Sequence, residues 1–92
     1  MAEADITSHS SMDDEIRTIL RDFGRLAVDA SALRDDANLY DAGLTSHGSV
    51  NLMLALEEHF DVEFPDRMMQ RGSFATIAAI RTNLRQLIEE RA

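Results

Sequence analysis

The stretch "AGLTSHGSV", residues 42–50, gathers the side chains of this protein that could do chemistry. Thr45, Ser46 and Ser49 offer hydroxyls, and His47 offers an imidazole. A serine beside a histidine first suggests nucleophilic catalysis. That chemistry needs a base within hydrogen-bond reach of the nucleophile and an acid orienting the base. Neighbours on a helix point about 100° apart, so His47 is poorly placed to serve Ser46. The nucleophile-elbow pattern G-x-S-x-G is also absent, since Gly43 stands three residues before Ser46 and Gly48 two after. Catalysis by this chain is not expected.

The stretch runs into "NLMLALEEHF", the strongest helical pattern of the chain, which places Ser46 in the first turn of a helix. Backbone N–H groups there have no intrahelical partner. With the helix dipole they favour an anion by roughly 0.3–1 kcal/mol at an exposed site. Thr45 can act as N-cap, which frees the Ser46 hydroxyl to carry a phosphate ester. The plainer alternative is that either hydroxyl is only a cap. Gly48 costs about 1 kcal/mol relative to alanine inside a helix. Either a partner's backbone approaches closely there, or the helix starts later, at Ser49.

The elements that position this turn can be read from periodicity. Residues 1–10 are polar and expected to be flexible, leaving residues 11–92 as one domain. Ser11 can cap a first helix, with Asp14 three residues on. Its apolar stripe is Met12, Ile16, Ile19, Leu20, Phe23, Leu26 and Ala27, with Arg17, Arg21 and Arg25 opposite. Residues 29–45 have no sustained period, and such a long connection is often functional. Leu33, Leu39, Tyr40 and Leu44 are expected to pin it to the core. The second helix should span residues 46–60. In "DVEFPD" Val62 and Phe64 point one way and Pro65 stops the run. A short helix follows in "DRMMQR", Gly72 breaks it, and Ser73 caps a last helix with the stripe Phe74, Ile77, Ile80, Leu84, Leu87 and Ile88. The expected fold is all-α, a small four-helix bundle with three long helices, one short helix and a long first loop.

The second helix has two faces. Leu52, Leu56, Phe60 and Met53 form a core stripe. Ser46, Val50, Leu54, Glu57 and Asp61 line up on nearly the opposite side, as a docking strip of apolar anchors at i and i+4 with an acidic rim would. Packing of Val50 or Leu54 under the first loop is the alternative. The net charge of −8 comes from seventeen acids against nine arginines, with no lysine. Eight of the acids, and no cation, lie between Asp35 and Asp66. This balance argues against nucleic acid, whose affinity comes largely from cationic groups, and favours basic partners. There is no cysteine, so neither a disulfide nor a thiolate metal site is possible. His9, His47 and His59 are too scattered for a metal centre. No apolar run is long enough for a membrane span, and "MAEADITSHSS" does not resemble a secretory signal. A cytoplasmic monomer is expected.

Residues 39–66, "LYDAGLTSHGSVNLMLALEEHFDVEFPD", resemble the central segment of acyl carrier proteins. In that family an aspartate–leucine–glycine stretch leads to a serine opening helix II, then an amphipathic run and an exit through proline. The resemblance implies a carrier, in which a phosphopantetheinyl transferase would attach 4'-phosphopantetheine from coenzyme A to Ser46. It also implies that partner enzymes grip Val50, Leu54, Glu57 and Glu58, with Thr45, His47 and Asp61 flanking them. The family's Asp-Ser-Leu is here Thr45-Ser46-His47, and Asn51 replaces an acid, which sets the chain apart from carriers of ordinary fatty-acid synthesis. "GLTS..SV" with "FPD....RGSFATIAAI" is most similar to stand-alone aminoacyl carrier proteins. Those are charged by an ATP-dependent amino acid:[carrier protein] ligase related to seryl-tRNA synthetase, and pass their cargo to an acceptor that the sequence leaves unknown. A carrier for a dedicated fatty-acid, lipid, polyketide or peptide pathway is the alternative within the family. An unmodified acidic helical adaptor is the alternative outside it.

The absence of lysine leaves no side-chain amine to attack a thioester, arginine being always protonated; compositional bias explains the absence equally well. If self-protection matters, Leu54→Lys shortens the lifetime of a thioester on the carrier, measured by loss of the loaded mass. An unchanged lifetime favours compositional bias.

Overall fold

The structure, a computed structural model, describes residues 12–24 and 26–91. The expected flexible lead, the expected cap Ser11 and Arg25 lie outside the described residues. Three α-helices form the frame. Helix α1 occupies residues 12–19 and continues as a π-helical turn, Leu20–Gly24; α2 is Ser46–Phe60 and α3 is Ile77–Arg91. The core is apolar: Ile16 and Leu20 of α1, Leu52 and Leu56 of α2, and Ile77, Ile80 and Leu84 of α3 meet around Leu39, all essentially inaccessible to solvent. Among the described residues no polar or charged side chain is buried.

Helix α1 departs from its expected stripe at the π turn. Widening the helix from Leu20 adds a residue to the turn and shifts the phase of the side chains beyond it. Phe23, expected in the core, is 47% exposed, and the buried residue at this end is Gly24. The helix stops there, so Leu26 is half-buried and Ala27 exposed, outside any helical stripe.

The long loop, residues 26–45, is held by its expected apolar residues and also by charge. Leu39 and Leu44 are buried, and Leu33 and Tyr40 pack against the core. Arg17, expected on the solvent face of α1, turns toward this loop instead. Its guanidinium donates to the carbonyls of Ala30 at 2.8 Å and Leu33 at 2.6 Å, and to Asp35 Oδ1 at 2.9 Å. Arg81 of α3 donates to Asp35 Oδ2 and to Asp13 Oδ1, each at 3.0 Å. One half-buried cluster thus ties α1, the loop and α3 together. The backbone adds to it: Leu39 N–H donates to Ala75 O at 2.7 Å and Ala78 N–H to Asp35 O at 3.1 Å.

The connection from α2 to α3 differs from expectation. Val62 packs on the core and Phe64 is buried, as the alternation of "DVEF" requires. The expected short helix is instead two 3-10 turns, Asp66–Met68 and Arg71–Phe74. Met68 and Phe74 are both buried. The first turn ends where the backbone leaves helical geometry at Met69 (φ −83°, ψ 57°), so residues 66–71 form no continuous helix. Helix α3 then starts later than expected. Thr76, rather than Ser73, caps it, accepting from Ala79 N–H at 2.9 Å.

Arg17→Ala leaves two loop carbonyls without their donor, and the expected cost is about 1–3 kcal/mol in urea denaturation. Hydrogen bonding from Arg81, aided by the charges of Arg81 and Arg17, holds the Asp35 carboxyl below its usual range against the opposing effect of desolvation. A depressed folded value means that this contribution is intact above the unfolded value, about pH 4. It is lost as pH falls through the lower folded value. Asp35→Asn is therefore expected to be less stable at neutral pH and to lose less further stability than wild type below about pH 4, read from urea midpoints at each pH.

Candidate functional site

The amino end of α2 is built by a cap and a close crossing. Thr45 has extended backbone (φ −92°, ψ 169°), and its Oγ1 accepts from Gly48 N–H at 2.9 Å. Its carbonyl accepts from Ser49 N–H at 2.8 Å. Ser46 is the first residue of the helix. It is exposed, and its hydroxyl makes no hydrogen bond to any described residue. The first-turn N–H groups that Thr45 does not satisfy remain available to an anion there.

Gly48 is buried, and the chain itself supplies the reason. A Cβ on it would stand 3.0 Å from Gly24 O, 3.2 Å from Thr45 Oγ1 and 3.3 Å from Leu44 Cδ1. The close approach comes from the end of α1, not from an outside partner, and α2 does not wait for Ser49 to begin. Gly43 makes the loop's last turn at φ 114°, where a Cβ would lie 2.7 Å from Ala27 N. The two glycines bring the loop and the end of α1 against the base of the site, while Ser46 faces out.

The other candidate residues surround this turn or continue along α2. His47 is exposed and has no hydrogen-bonded acid among the described residues, so no base–acid relay forms beside Ser46. Val50 and Leu54 are 51% and 53% exposed, and neither packs under the first loop. Glu58 and Asp61 are exposed. Asp61 ends α2 in the left-handed region (φ 55°, ψ 52°). Glu57 is half-buried, and its Oε2 accepts from Phe64 N–H at 2.8 Å, so this carboxylate holds the turn after α2. His59 lies against Glu15 of α1 at 2.8 Å. Among the described residues no group of three or more His, Cys, Asp or Glu side chains could hold a metal ion.

Sequence reasoning missed Arg71. It lines a cleft of about 270 Å³ together with Ser46, Val50, Met53 and Tyr40. Its guanidinium sits 3.7 Å over the Tyr40 ring centroid, and Tyr40 Oη donates to Arg71 O at 3.1 Å. Thirty-one residues separate the pair, and no local pattern announces such a contact. It places one cation beside a site whose surrounding sequence is otherwise acidic.

An exposed alcohol with no base cannot activate itself, but it is accessible to an enzyme that brings one. Its place at a helix start suits an attached phosphodiester, and the half-exposed Val50 and Leu54 offer a surface for docking. These features define a helical carrier domain. Residues 14–81 match the phosphopantetheine attachment site family, PP-binding, and the chain belongs to that family. Membership implies covalent attachment of 4'-phosphopantetheine, which the free hydroxyl and the unpaired N–H groups of the first turn fit.

The chain is 46% identical to the aminoacyl carrier protein of Agrobacterium fabrum (strain C58) over 78 residues, 85% of this chain and 94% of the relative. It superposes with a TM-score of 0.79 and 48% identity on the structure of an engineered Bradyrhizobium japonicum glycine:[carrier protein] ligase complexed with carrier protein from Agrobacterium tumefaciens and ATP. The match covers 82% of this chain and 97% of that chain. A Bradyrhizobium japonicum glycine:[carrier protein] ligase complexed with glycylated carrier protein gives a TM-score of 0.69 at 27% identity, covering 79% of this chain and 97% of that chain. No described helix is long and apolar enough to cross a membrane.

Thr45→Ala removes the cap of α2 and is expected to cost about 1 kcal/mol in urea denaturation. The Ser46 hydroxyl is not part of that hydrogen bond, so the variant should still accept phosphopantetheine, as intact-mass measurement would show.

Proposed function

We propose that this chain is an aminoacyl carrier that holds an activated amino acid on an arm attached at Ser46. The observation that carries the reading is the position of Ser46, first in α2 and exposed, with its hydroxyl free of hydrogen bonds to described residues. A phosphopantetheinyl transferase would position the Ser46 oxygen for attack on the phosphorus that bears the pantetheine of coenzyme A. The P–O bond to the adenosine bisphosphate breaks as the new one forms, and the hydroxyl proton passes to a base on the transferase, since His47 is not set up to take it. The attached group supplies a thiol on a flexible arm, where an ATP-dependent amino acid:[carrier protein] ligase would place an amino acid as a thioester. The chain itself contributes the attachment point, the helix start that stabilises the phosphodiester, and the docking face.

The aminoacyl assignment is supported by the 46%-identical relative and by the carrier proteins found with glycine:[carrier protein] ligases. Thr45, His47 and Asn51, which depart from the usual carrier motif, are consistent with partners other than those of fatty-acid synthesis. Val50, Leu54, Glu58 and Asp61 are the exposed residues of α2 and its cap that partner enzymes would touch, with Thr45 and His47 at the near end. Glu57 would contribute with the carboxylate oxygen that Phe64 leaves free. Reliance on coenzyme A and ATP suits a cytoplasmic setting.

Incubation with coenzyme A and a broad-specificity phosphopantetheinyl transferase should add one arm to the wild type and none to Ser46→Ala, read by intact mass. Absence of the gain with several transferases would favour the unmodified adaptor. A gain by Ser46→Ala would move the attachment point elsewhere. Loading of the modified protein with ATP, single amino acids and a ligase then identifies the cargo; acylation by fatty acids alone would favour the dedicated acyl carrier.

A further inference from the structure

Two depressions flank α2. One, of about 490 Å³ between α1 and α2, is lined by Ile19, Phe23 and Ala55 among others and does not reach Ser46. The other is the smaller cleft already described, where Ser46 and Arg71 share the wall with Met53, Met69 and Phe74. Its cation is the part that the fold does not use. Acids outnumber arginines seventeen to nine, and Arg17, Arg21, Arg34, Arg67 and Arg81 each meet a carboxylate. Arg71, although exposed, forms no ion pair with any described residue. It stands on the Tyr40 ring instead, 3.7 Å from the centroid. The same tyrosine fixes the backbone beneath it, since Tyr40 Oη donates to Arg71 O at 3.1 Å. Stacking occupies one face of the guanidinium, whereas its five N–H donors lie in the plane and point out from the rim. The ring therefore holds the group in place without consuming its donors. The cleft beside the attachment serine thus contains a cation whose position is fixed and whose hydrogen-bonding capacity is open.

We propose that Arg71 pairs with the phosphodiester that joins the arm to Ser46, as a positioning residue that holds the root of the arm at this cleft. The proposal rests on the reading that the arm is attached at Ser46. A phosphodiester has two unesterified oxygens that share one negative charge. The open N–H groups of the first α2 turn and a guanidinium can therefore both act on it, one from the helix and the other from the Arg71–Phe74 turn. The pairing also sorts the two ends of the arm. Its root is anionic and is drawn to Arg71. A protonated amine on an aminoacyl cargo at the tip is repelled by the same cation, so the cleft keeps the root and turns the cargo away.

The test compares apo and holo forms of the full chain, with Arg71→Gln and Arg71→Lys beside the wild type. In isotope-labelled wild type, attachment of the arm should shift the Arg71 Nε–Hε resonance and leave that of Arg85, an exposed arginine of α3, in place. The phosphorus resonance of the holo protein should differ between wild type and Arg71→Gln. Salt at about 0.5 M should move the wild-type signal toward that of the variant, because an exposed pair is screened. Attachment should also raise the ratio of folded to unfolded protein about two- to fivefold more in the wild type than in Arg71→Gln, read from urea midpoints. Arg71→Lys, which keeps the charge and loses the planar fork, should fall between them. Equal destabilisation of apo and holo forms by Arg71→Gln, with an unmoved phosphorus resonance, marks Arg71 as a brace for Tyr40 alone. That result overturns the proposal and leaves the carrier reading intact. Should Arg71→Gln fail to fold or to accept the arm, the wild-type Arg71 resonance decides, and no shift on attachment overturns the proposal. A wild type that no transferase modifies overturns both readings.

Discussion

The approach of the Gly24 carbonyl to Gly48 is the contact on which the rest of the site depends. A methyl group at Gly48 would meet that backbone oxygen at 3.0 Å and the Leu44 side chain at 3.3 Å. The glycine gives up about 1 kcal/mol of helix propensity, and in exchange the end of α1 crosses the first turn of α2 at backbone distance. The crossing keeps Leu20 and Leu52 in one core and buries Leu44 behind the cap. Thr45 completes it, because the hydroxyl that bounds the Gly48 pocket is the one that caps the Gly48 N–H. A helix start fixed from behind by backbone contact needs no bulky side chain in front. Small residues at the head of the best helix therefore leave Ser46 standing clear.

A second constraint is the length of the first loop. Its carbonyls need donors wherever the loop is drawn against the bundle, and apolar anchors cannot provide them. Arg17 supplies two, and Asp35 brings Arg17 of α1 and Arg81 of α3 onto one carboxylate. Because the cluster is only half-buried, its charges retain water and avoid the full desolvation penalty of an interior ion pair. The loop is then positioned at both ends: by this cluster near Asp35, and by Leu39 and Leu44 where it enters α2. Either end alone would leave Thr45 free to shift.

Much of this is legible in the sequence because it obeys short-range rules. The bounds of α2, its core stripe of Leu52 and Leu56, the cap at Thr45 and the anchors of the loop all come from periodicity and capping chemistry. The features that are not legible depend on contacts between distant segments. Arg17 occupies a polar position on α1 and turns inward only because the loop passes over it. Phe23 fits the apolar stripe at a helical period, and a π turn moves it out. Gly48 is recognisably costly in the sequence, but its partner, Gly24, lies a whole loop away. The short helix expected in "DRMMQR" gives way to a 3-10 turn that buries Met68 and ends at Met69, a stop that the local pattern does not mark.

The filled interior also bears on what such a carrier can hold. Eight large side chains, from α1, α2, α3 and the long loop, are essentially inaccessible, and the two depressions beside α2 lie on its outward flanks. An aminoacyl thioester near neutral pH carries a protonated amine, and burying an unpaired charge is far more costly than leaving it in water. A cavity inside the bundle would therefore gain nothing for an amino acid, whereas it would shelter an alkyl chain. The acidic field around α2 is attractive to the cargo's amine and to the cationic groups of a partner alike. On the aminoacyl reading, a charge distribution that would attract a basic partner is compatible with a cargo held outside the fold, and the protein can devote its small core entirely to keeping one hydroxyl in place.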